Sequence, residues 1–294
     1  MGLAVIGAGK WGSALNFAFS KNSTCKITSR HKREMENFVS LKEALRCEYL
    51  VFAIPAQAVS LWLSENFVFD SQKVLVAAKG IEKDSGRFLN EIFSDHIPDE
   101  NLAFLSGPSF ASEVLQSLPT AVVINSKNEK LSSEFSEFFP DFIKTYSSTD
   151  VIGAEICGAY KNVLAIASGI CTGLGLGNNA RASLMARGLV EMSRFGRYFG
   201  AQEETFLGLS GAGDLFLTAS SELSRNFRVG LGLAKEKKIN YILDELGEVA
   251  EGVFTTDAVL TLSEKERIYT PIASEVQKIL QGKDPKESLR DLLK

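Results

Sequence analysis

Hydrophobic and polar positions follow two different patterns along the chain, and the change between them falls near residue 149. In the first part, strands are predicted at 2–6, 25–29, 49–54, 73–78, 102–106, 120–125 and 143–147, and most of these segments are short, continuous apolar runs. Helical periodicity lies between these runs, at 10–20, 40–46, 56–65, 85–94, 109–117 and 129–139. Apolar runs without alternation are typical of strands that are buried on both faces of a parallel sheet. The alternation of strand and helix therefore predicts an α/β, doubly wound domain.

The second part of the chain contains no convincing strand pattern. Its periodicity is compatible with helices at 151–170, 178–199, 203–208, 213–235, 239–246, 255–263 and 271–281. The Ser, Thr and Asp residues of "SSTDV" (147–151) are suited to capping an incoming helix, which indicates a boundary there. We therefore predict a doubly wound, Rossmann-like domain over 1–148 and an all-helical C-terminal domain over 149–294.

Composition and charge narrow the class of protein. With 294 residues, 45% of them hydrophobic, the chain can bury a sizeable core without disulfides. A formal net charge of −4 disfavours binding to nucleic acid or to an anionic membrane. The four cysteines and two histidines are scattered, so no metal site is predicted. The N-terminus lacks a signal-peptide pattern, and the apolar run 162–177 is too short and glycine-rich to span a bilayer. We expect a soluble, cytoplasmic protein that does not insert into membranes.

A glycine-rich loop follows the first predicted strand, in "LAVIGAGKWGSAL" (3–15). Gly7 permits a tight turn, Gly9 lets the backbone approach a pyrophosphate, and Gly12 lets the following helix pack closely on the strand. The helix N-terminus adds free N–H groups and the positive end of its dipole. The loop therefore predicts a dinucleotide site, and the alternative is a tight turn that binds nothing.

The residues after the second predicted strand indicate which dinucleotide is bound. A loop specific for NAD usually carries an acidic residue here for the ribose 2′-hydroxyl. This chain instead has "SRHKR" (29–33), with no acid before Glu34. Arg30, with Lys32 or Arg33, suits a 2′-phosphate and favours NADP(H), whereas the alternative is a solvated basic loop.

Further candidates follow later strands, because ligands of open α/β sheets bind outside the carboxyl ends of the strands. Lys79 in "AAKG" places a cation there, and "LSGPSFA" places Gly107 and Ser109 before a helix. The backbone N–H groups and the hydroxyl of this loop suit an oxygen-rich ligand. The alternatives are a surface lysine and a helix cap.

Lys161 is the most informative residue of the helical part. It lies in "GAEICGAYKNVLAIASGI", and its neighbours three and four residues away are small or apolar, so this helix face is predicted to be buried. A buried ammonium is costly unless it is paired, which suggests a functional group. The alternative is a lysine whose stem is buried while its ammonium reaches solvent.

Three further polar groups stand out in the helical part. Asp214 follows a Gly-Ala-Gly turn in "SGAGDLFLT" (210–218), where it could be only an N-cap. The run "SRN" (224–226) offers side chains for phosphate oxygens or hydroxyls, and the alternative is a solvated helix face. Glu251 in "EVAEG" precedes a glycine, and its own pattern indicates a surface residue on a loop.

Seven motifs in order carry a resemblance over nearly the whole chain. They are the glycine loop with Trp11, "AAKGIE" (77–82), "SGPSFASEV" (106–114), "EICGAYKNVLAIASGICTGLGLGNNARASLMARGL" (155–189), "LSGAGDLFLT" (209–218), "SRNFRVG" (224–230) and "EVAEGVFTT" (248–256). The chain resembles the bacterial NAD(P)-dependent glycerol-3-phosphate dehydrogenases. This resemblance implies reversible hydride transfer between NAD(P)H and dihydroxyacetone phosphate in the cytoplasm. The product, sn-glycerol 3-phosphate, is a precursor of membrane phospholipids.

The resemblance also implies roles for residues at matching positions. Lys161 matches the proposed proton donor and acceptor, Lys79 a second lysine of the site, and Asp214 the aspartate after the glycines. Substrate-binding positions match Lys79, Gly107, Ser109, Lys161, Asp214, Ser224, Arg225 and Asn226. Cofactor-binding positions match Gly7, Gly9, Lys10, Trp11, Gly12, Arg30, His31, Lys79, Ala111, Arg225 and Glu251. No metal is required, and we keep a homodimer formed through the helical domain as a hypothesis.

Two features depart from the family pattern. Lys10 stands where a small hydroxyl residue is expected, which bears on a phosphate contact. The connection after the second strand is about twenty residues shorter than is usual in the family, so the adenosine side is expected to be more open. Both bear on cofactor preference rather than on the chemistry.

Other functions are weighed against this one. A 6-phosphogluconate- or hydroxyacyl-type dehydrogenase shares the architecture, but a hydroxyacyl enzyme is expected to use a histidine–glutamate pair, and His96 precedes a surface-like loop. A non-catalytic dinucleotide sensor would not require Lys79, Lys161, Asp214 and Arg225 together.

Overall fold

The chain folds into two compact units in a computed structural model that describes residues 2–293. The first unit is made of the chain through Lys79 and of Leu89–Ala154. The second is made of Gly80–Phe88 and of the chain from Glu155 onward. The division predicted between residues 148 and 149 stays a prediction of where the two functional domains meet in sequence.

The first unit is built on a seven-stranded sheet with the order β2-β1-β3-β4-β5-β6-β7. The strands are β1 (Leu3–Ile6), β2 (Cys25–Thr28), β3 (Tyr49–Phe52), β4 (Lys73–Val76), β5 (Leu102–Ser106), β6 (Thr120–Asn125) and β7 (Ile143–Ser148). All neighbouring pairs are parallel except β5 and β6, which are antiparallel. The α/β, doubly wound fold class is thus confirmed, with one reversal that the apolar pattern does not reveal.

Helices cover both faces of this sheet, and successive strand residues point to opposite faces. The helices of the unit are α1 (Lys10–Phe19), α2 (Leu41–Ala44), α3 (Val59–Asn66), α4 (Leu89–Ser94), α5 (Ala111–Val114) and α6 (Glu129–Ser136). Leu3 and Val5 of β1 belong to one buried cluster, whereas Ala4 and Ile6 belong to another. Burial on both faces explains the continuous apolar runs of the central strands.

The second unit is helical. Its helices are α7 (Val151–Gly173), α8 (Gly177–Tyr198), α9 (Glu203–Leu207), α10 (Asp214–Ala219), α11 (Arg225–Ala234), α12 (Ile239–Leu246), α13 (Glu251–Glu266), α14 (Pro271–Leu280) and α15 (Pro285–Leu293). The first four residues of α7 belong to the sheet unit. Within α7, 94% of the most apolar 18-residue window is buried, so this helix, although long and apolar enough to cross a membrane, is a core helix.

Several helix predictions differ from the structure. The single helix predicted over 213–235 is two helices, because Ser224 caps α11 by accepting a hydrogen bond from the Phe227 N–H at 3.3 Å. The helix predicted over 109–117 is the four-residue α5, and the sequence pattern missed α15. A π-helical turn, Leu209–Gly213, precedes α10.

Two glycines bring the backbones of α7 and α11 into contact. A Cβ atom on Gly169 would collide with the Phe227 carbonyl oxygen, and one on Gly230 would collide with the Ile166 carbonyl oxygen. Because no side chain separates the helices, this contact fixes the position of the first turn of α11 relative to α7.

All four cysteines are buried and none forms a disulfide. Burial raises the pKa of the Cys25 thiol to about 12, so this thiol is unreactive at neutral pH. Over residues 2–293, the structure has no cluster of three His, Cys, Asp or Glu side chains that could hold a metal ion.

Candidate active site

The glycine loop joins β1 to α1, and two of its glycines are required by packing. Gly7 has a φ of 114°, and a Cβ there would lie 2.5 Å from the Ala53 carbonyl oxygen. A Cβ on Gly12 would collide with the carbonyl oxygen of Gly7. These two residues therefore allow the tight turn and the close approach of α1, as predicted from the pattern.

Gly9 differs from the other two glycines. It is exposed, it lies directly before α1, and a Cβ there would meet no atom within 4 Å. The protein itself therefore does not require glycine at this position, but a ligand against the loop would. Open backbone at a helix N-terminus fits the pyrophosphate of a dinucleotide.

The segment after β2 lies beside this loop, because the Gly7 N–H donates to the Thr28 carbonyl oxygen at 2.8 Å. Arg30 and His31 are both exposed, and the Arg30 Nε–H donates to His31 Nε2 at 3.2 Å. The chain then returns along β2 through a bridge between Ile27 and Phe38. This compact return accounts for the short connection seen in the sequence.

Two other cofactor candidates pack against one buried cluster of the sheet unit. Trp11 and Ala111 both contact the cluster that contains Leu3 and Val5. Lys10, at the start of α1, is exposed. The structure thus brings Trp11 and Ala111, which are far apart in sequence, to the same side of the sheet.

Lys79, Gly107 and Ser109 meet at one carbonyl group. The Gly107 oxygen accepts from Lys79 Nζ at 3.3 Å and from Ser109 Oγ at 3.2 Å. Gly107 has a φ of 101°, and a Cβ on it would press on β6 at 3.2 Å from the Ala121 oxygen. Ser109 does not cap α5, because the N-cap position is Phe110. The loop therefore holds a half-buried ammonium next to a hydroxyl.

Lys161 lies at the centre of a buried polar cluster in the helical unit. Its side chain is 9% exposed, so it does not extend to solvent. The ammonium donates to Asp214 Oδ1 at 2.5 Å and to Thr218 Oγ1 at 3.0 Å. Asp214 is 1% exposed, and its carboxylate accepts from the Thr218 hydroxyl at 3.3 Å. The ion pair offsets the cost of burying each charge.

The turn of α7 that carries Lys161 is held from its other side by Tyr160. The Tyr160 hydroxyl donates to Glu191 Oε1 at 2.8 Å, and the Glu191 carboxylate also accepts from the N–H groups of Ile272 and Ala273 at 2.9 Å. Burial raises the pKa of both Tyr160 and Glu191. A buried carboxylate thus ties α7, α8 and the start of α14 together.

A second buried network begins at Asn162. The Asn226 Nδ2 donates to Asn162 Oδ1 at 2.9 Å, and Asn226 Oδ1 accepts from the Gly252 N–H at 3.0 Å. Asn226 therefore links α7, α11 and α13, and one N–H of its amide remains for another acceptor. Asn226 thus lies against the helix that carries Lys161.

The remaining candidates lie at the ends of α11 and α13. Ser224 is buried as the cap of α11, whereas Arg225 is exposed and pairs with Glu248 at 3.3 Å between Nη1 and Oε2. Glu251 is half-buried and is the first residue of α13, not a loop residue. The N-terminus of α11 thus presents the guanidinium of Arg225 to solvent.

Sequence reasoning missed two side chains that contact the candidates. Thr218 bonds both Lys161 and Asp214, and Glu248 holds Arg225. The signal for Thr218 was present, since it lies four residues after Asp214 and therefore on the same helix face. Nothing in the sequence pattern relates Glu248 to Arg225.

Comparison with known proteins shows the family of the chain. The family model described as the NAD-dependent glycerol-3-phosphate dehydrogenase C-terminus matches residues 150–290, and the corresponding N-terminus model matches residues 32–132. The chain is 65% identical over 291 residues to a protein of Sulfurimonas denitrificans named glycerol-3-phosphate dehydrogenase [NAD(P)+], covering 99% of this chain and 98% of that protein. A protein of the same name from Campylobacter jejuni is 62% identical over 294 residues, covering 100% and 99%.

A solved structure gives the same result. The crystal structure of glycerol-3-phosphate dehydrogenase from Coxiella burnetii superimposes with a TM-score of 0.92 at 32% identity, covering 99% of this chain and 98% of that one. Full-length identity, both family models and this superposition agree. The chain therefore belongs to the NAD-dependent glycerol-3-phosphate dehydrogenase family.

Proposed function

We propose that this protein catalyses the reversible reduction of dihydroxyacetone phosphate to sn-glycerol 3-phosphate with NADPH or NADH. The observation that carries the proposal is the buried ion pair of Lys161 and Asp214, because an ammonium held this far from water is suited to proton transfer. The family and the names of the full-length relatives support the same reaction.

The glycine loop is the proposed cofactor site. The backbone of Gly9 and the first N–H groups of α1 would hold the pyrophosphate, while Gly7 and Gly12 keep the turn tight. When bound, the nicotinamide supplies the hydride. Trp11, Lys10, Ala111 and Glu251 are proposed cofactor contacts on the family resemblance.

Lys161 is the proposed proton donor in the direction of reduction. Hydride addition to a ketone builds negative charge on its oxygen, and an ammonium stabilises that charge and then donates the proton. Asp214 and Thr218 orient the Lys161 side chain, because each accepts one of its hydrogen bonds. In the oxidative direction the same nitrogen accepts the proton.

The phosphate of the substrate is the proposed partner of the "SRN" segment. Arg225 can bind two phosphate oxygens at once, and it would exchange its solvent-exposed pairing with Glu248 for that contact. The free N–H of the Asn226 amide is a further donor. Lys79, Gly107, Ser109 and Ser224 are proposed as additional substrate contacts, and Lys79 and Arg225 as contacts of the cofactor as well.

Arg30 and His31 are the proposed contacts of the 2′-phosphate, so NADPH is expected to be used at least as well as NADH. Their exposure and their position beside the glycine loop support this. A cytoplasmic location and a homodimer stay predictions.

The first test measures the loss of NADPH absorbance, and then of NADH absorbance, with purified protein and dihydroxyacetone phosphate. Unphosphorylated dihydroxyacetone serves as the matched substrate without an anchor for Arg225. Fast oxidation with the phosphate ester alone supports the proposal. Cofactor binding without oxidation by either ketone would overturn the proposed substrate.

The variant Lys161→Ala tests the role of the ammonium. We expect turnover to fall by about 10²- to 10⁴-fold, the range that general acid–base groups contribute, while NADPH still binds. Lys235→Ala is the control, since Lys235 is an exposed lysine at the end of α11 in the same unit. Unchanged turnover in Lys161→Ala would refute the assigned role.

A further inference from the structure

The hydrogen bond between Arg30 and His31 joins a permanent cation to a titratable ring. The Arg30 Nε–H donates to His31 Nε2 at 3.2 Å. A guanidinium has donors and no acceptor, and it stays charged at any pH a protein tolerates. The imidazole must therefore be the acceptor, so this bond requires a neutral ring without a proton on Nε2.

This pair is held at the place where a dinucleotide presents its 2′-substituent. The Ser29 hydroxyl donates to the His31 carbonyl oxygen at 2.7 Å, which fixes the turn, and the Gly7 N–H bond to Thr28 keeps the turn beside the glycine loop. In a nucleotide-binding sheet, the residues after the second strand contact the ribose 2′-position. Both side chains are exposed and accessible to a ligand.

The charges around the His31 ring are mostly positive. On its own segment they are Arg30, Lys32, Arg33 and Glu34, all exposed. From the adjoining elements, Lys10 begins α1, while Lys26 of β2 and Glu43 of α2 pair with each other at 2.8 Å. Within residues 2–293, the imidazole forms a side-chain hydrogen bond with Arg30 and no ion pair with an acid.

We propose that His31 takes up a proton when the 2′-phosphate of NADPH binds, and that it is thereby a proton-linked specificity residue for NADPH over NADH. The inference rests on the proposed function. With a dianionic phosphate beside it, His31 Nε2 gains a proton from solvent and changes from acceptor to donor. The Arg30 Nε–H is released from the ring, and both groups donate to phosphate oxygens. NADH carries a hydroxyl at this position and has no charge to retain the proton.

The sign of the effect follows from linkage. Binding that takes up a proton is strengthened by acid, so the contribution of His31 to NADPH affinity falls as pH rises. The phosphate opposes this trend, because its own second ionisation near pH 6 (roughly) adds negative charge as pH rises. A variant is therefore needed that removes the pH dependence of the ring and leaves that of the phosphate unchanged.

His31→Gln provides this separation. The glutamine oxygen can accept from Arg30 Nε as His31 Nε2 does, but it cannot take up a proton. Titration calorimetry of the full-length protein in two buffers of different ionisation heat gives the protons taken up per NADPH or NADH bound. Near neutral pH we expect up to about one more proton per NADPH in the wild type than in His31→Gln, and no such difference with NADH. As pH rises, the NADPH dissociation constant of His31→Gln divided by that of the wild type should fall by up to about tenfold per pH unit.

Lys32→Gln is the control for simple loss of charge, since Lys32 is an exposed neighbour. It should weaken NADPH binding in a salt-dependent way and keep the proton uptake of the wild type. Equal proton uptake by wild type and His31→Gln with NADPH would overturn the inference. It would also be overturned if the wild type took up the same excess of protons with NADH as with NADPH, or if it bound NADPH no more tightly than NADH. Oxidation of NADH with dihydroxyacetone phosphate, measured on the same samples, tests the proposed function separately.

Discussion

The two units of the molecule carry their candidate residues in different ways. In the sheet unit, the candidates follow the ends of β1, β2, β4 and β5, and their contacts are made largely by backbone: Gly9 is open, and the Gly107 carbonyl oxygen binds Lys79. In the helical unit, Arg225 is exposed, but the central candidates are side chains from separate helices that are buried against one another. Lys161 of α7 and Asp214 of α10 are 53 residues apart in sequence.

This difference predicts how each unit responds to substitution. A ligand site built on exposed backbone can be blocked without loss of stability, because the protein does not use the same atoms to hold itself together. A site built from a buried ion pair cannot, since each charge there is the partner that makes burial of the other tolerable. Function and stability should therefore separate in the sheet unit and coincide in the helical unit.

The largest effect is expected for Asp214→Asn. This change leaves the Lys161 ammonium buried without its carboxylate, and breaking a buried pair in this way costs about 3–5 kcal/mol of unfolding free energy. Turnover should fall by more than about 100-fold, because the ammonium loses the group that orients it. Denaturant unfolding and NADPH oxidation check both effects.

Two variants make this prediction specific. Asp244→Asn removes an exposed acid of α12 and should change neither quantity. The double variant Lys161→Met/Asp214→Leu removes both charges and should recover stability but not turnover. Full stability of Asp214→Asn would contradict the view that function and stability coincide in this unit.

The sequence predicted the sheet unit better than the site in the helical unit, for a physical reason. All seven strands were predicted, most of them because buried strands of a parallel sheet are continuous apolar runs, whereas β7 is mostly exposed or half-buried and is not such a run. The ends of β1, β2 and β4 lie at one edge because those strands are parallel. Lys161 was found because its helix neighbours are apolar. The contact of Thr218 with Lys161 and the Asn162–Asn226–Gly252 network depend on how helices pack against one another, which periodicity does not show. Only the place of Thr218 on the same helix face as Asp214 follows from their spacing.

Local chemistry also decided where predictions were wrong. The helix predicted over 213–235 has continuous periodicity, yet it is interrupted because the Ser224 hydroxyl caps α11. The strand β6 was predicted, but its antiparallel direction relative to β5 was not, because an apolar run looks the same in either direction.

Gly12→Ala and Gly9→Ala test the separation of function and stability in the sheet unit. The new Cβ at residue 12 would collide with the Gly7 carbonyl oxygen, so we expect a loss at the upper end of about 1–3 kcal/mol in unfolding free energy. At residue 9 the new Cβ meets no protein atom within 4 Å, so stability should hold while NADPH affinity falls. Thermal unfolding with a fluorescence titration of NADPH distinguishes them. Equal NADPH affinity of Gly9→Ala and wild type would argue against the phosphate site.

Gly169→Ala extends the comparison to helix packing. Its Cβ would push against the Phe227 carbonyl oxygen and separate α11 from α7, costing about 1–3 kcal/mol. Because Asn226 lies on the displaced turn, the KM for dihydroxyacetone phosphate should also rise. Gly208→Ala is the control, since the nearest atom to its Cβ would be 3.5 Å away. A stability loss with an unchanged KM would show that packing and site are independent here.

The smallest effect is expected at a half-buried ion pair of the sheet unit, where Lys73 Nζ pairs with Glu134 Oε2 at 2.8 Å. The hydrogen bond from Lys73 lowers the pKa of the Glu134 carboxyl from its usual value of 4.5. The pair therefore stabilises the fold above that value, and the stabilisation is lost as pH falls through the lowered pKa. Glu134→Gln should lose less than about 1 kcal/mol at pH 7, a typical value for a pair near the surface. The difference from wild type should vanish in acid, whereas Glu137→Gln, which changes an exposed neighbour, should show no such pH dependence. A pH-independent loss in Glu134→Gln would mean that the side chain stabilises α6 by packing rather than by charge.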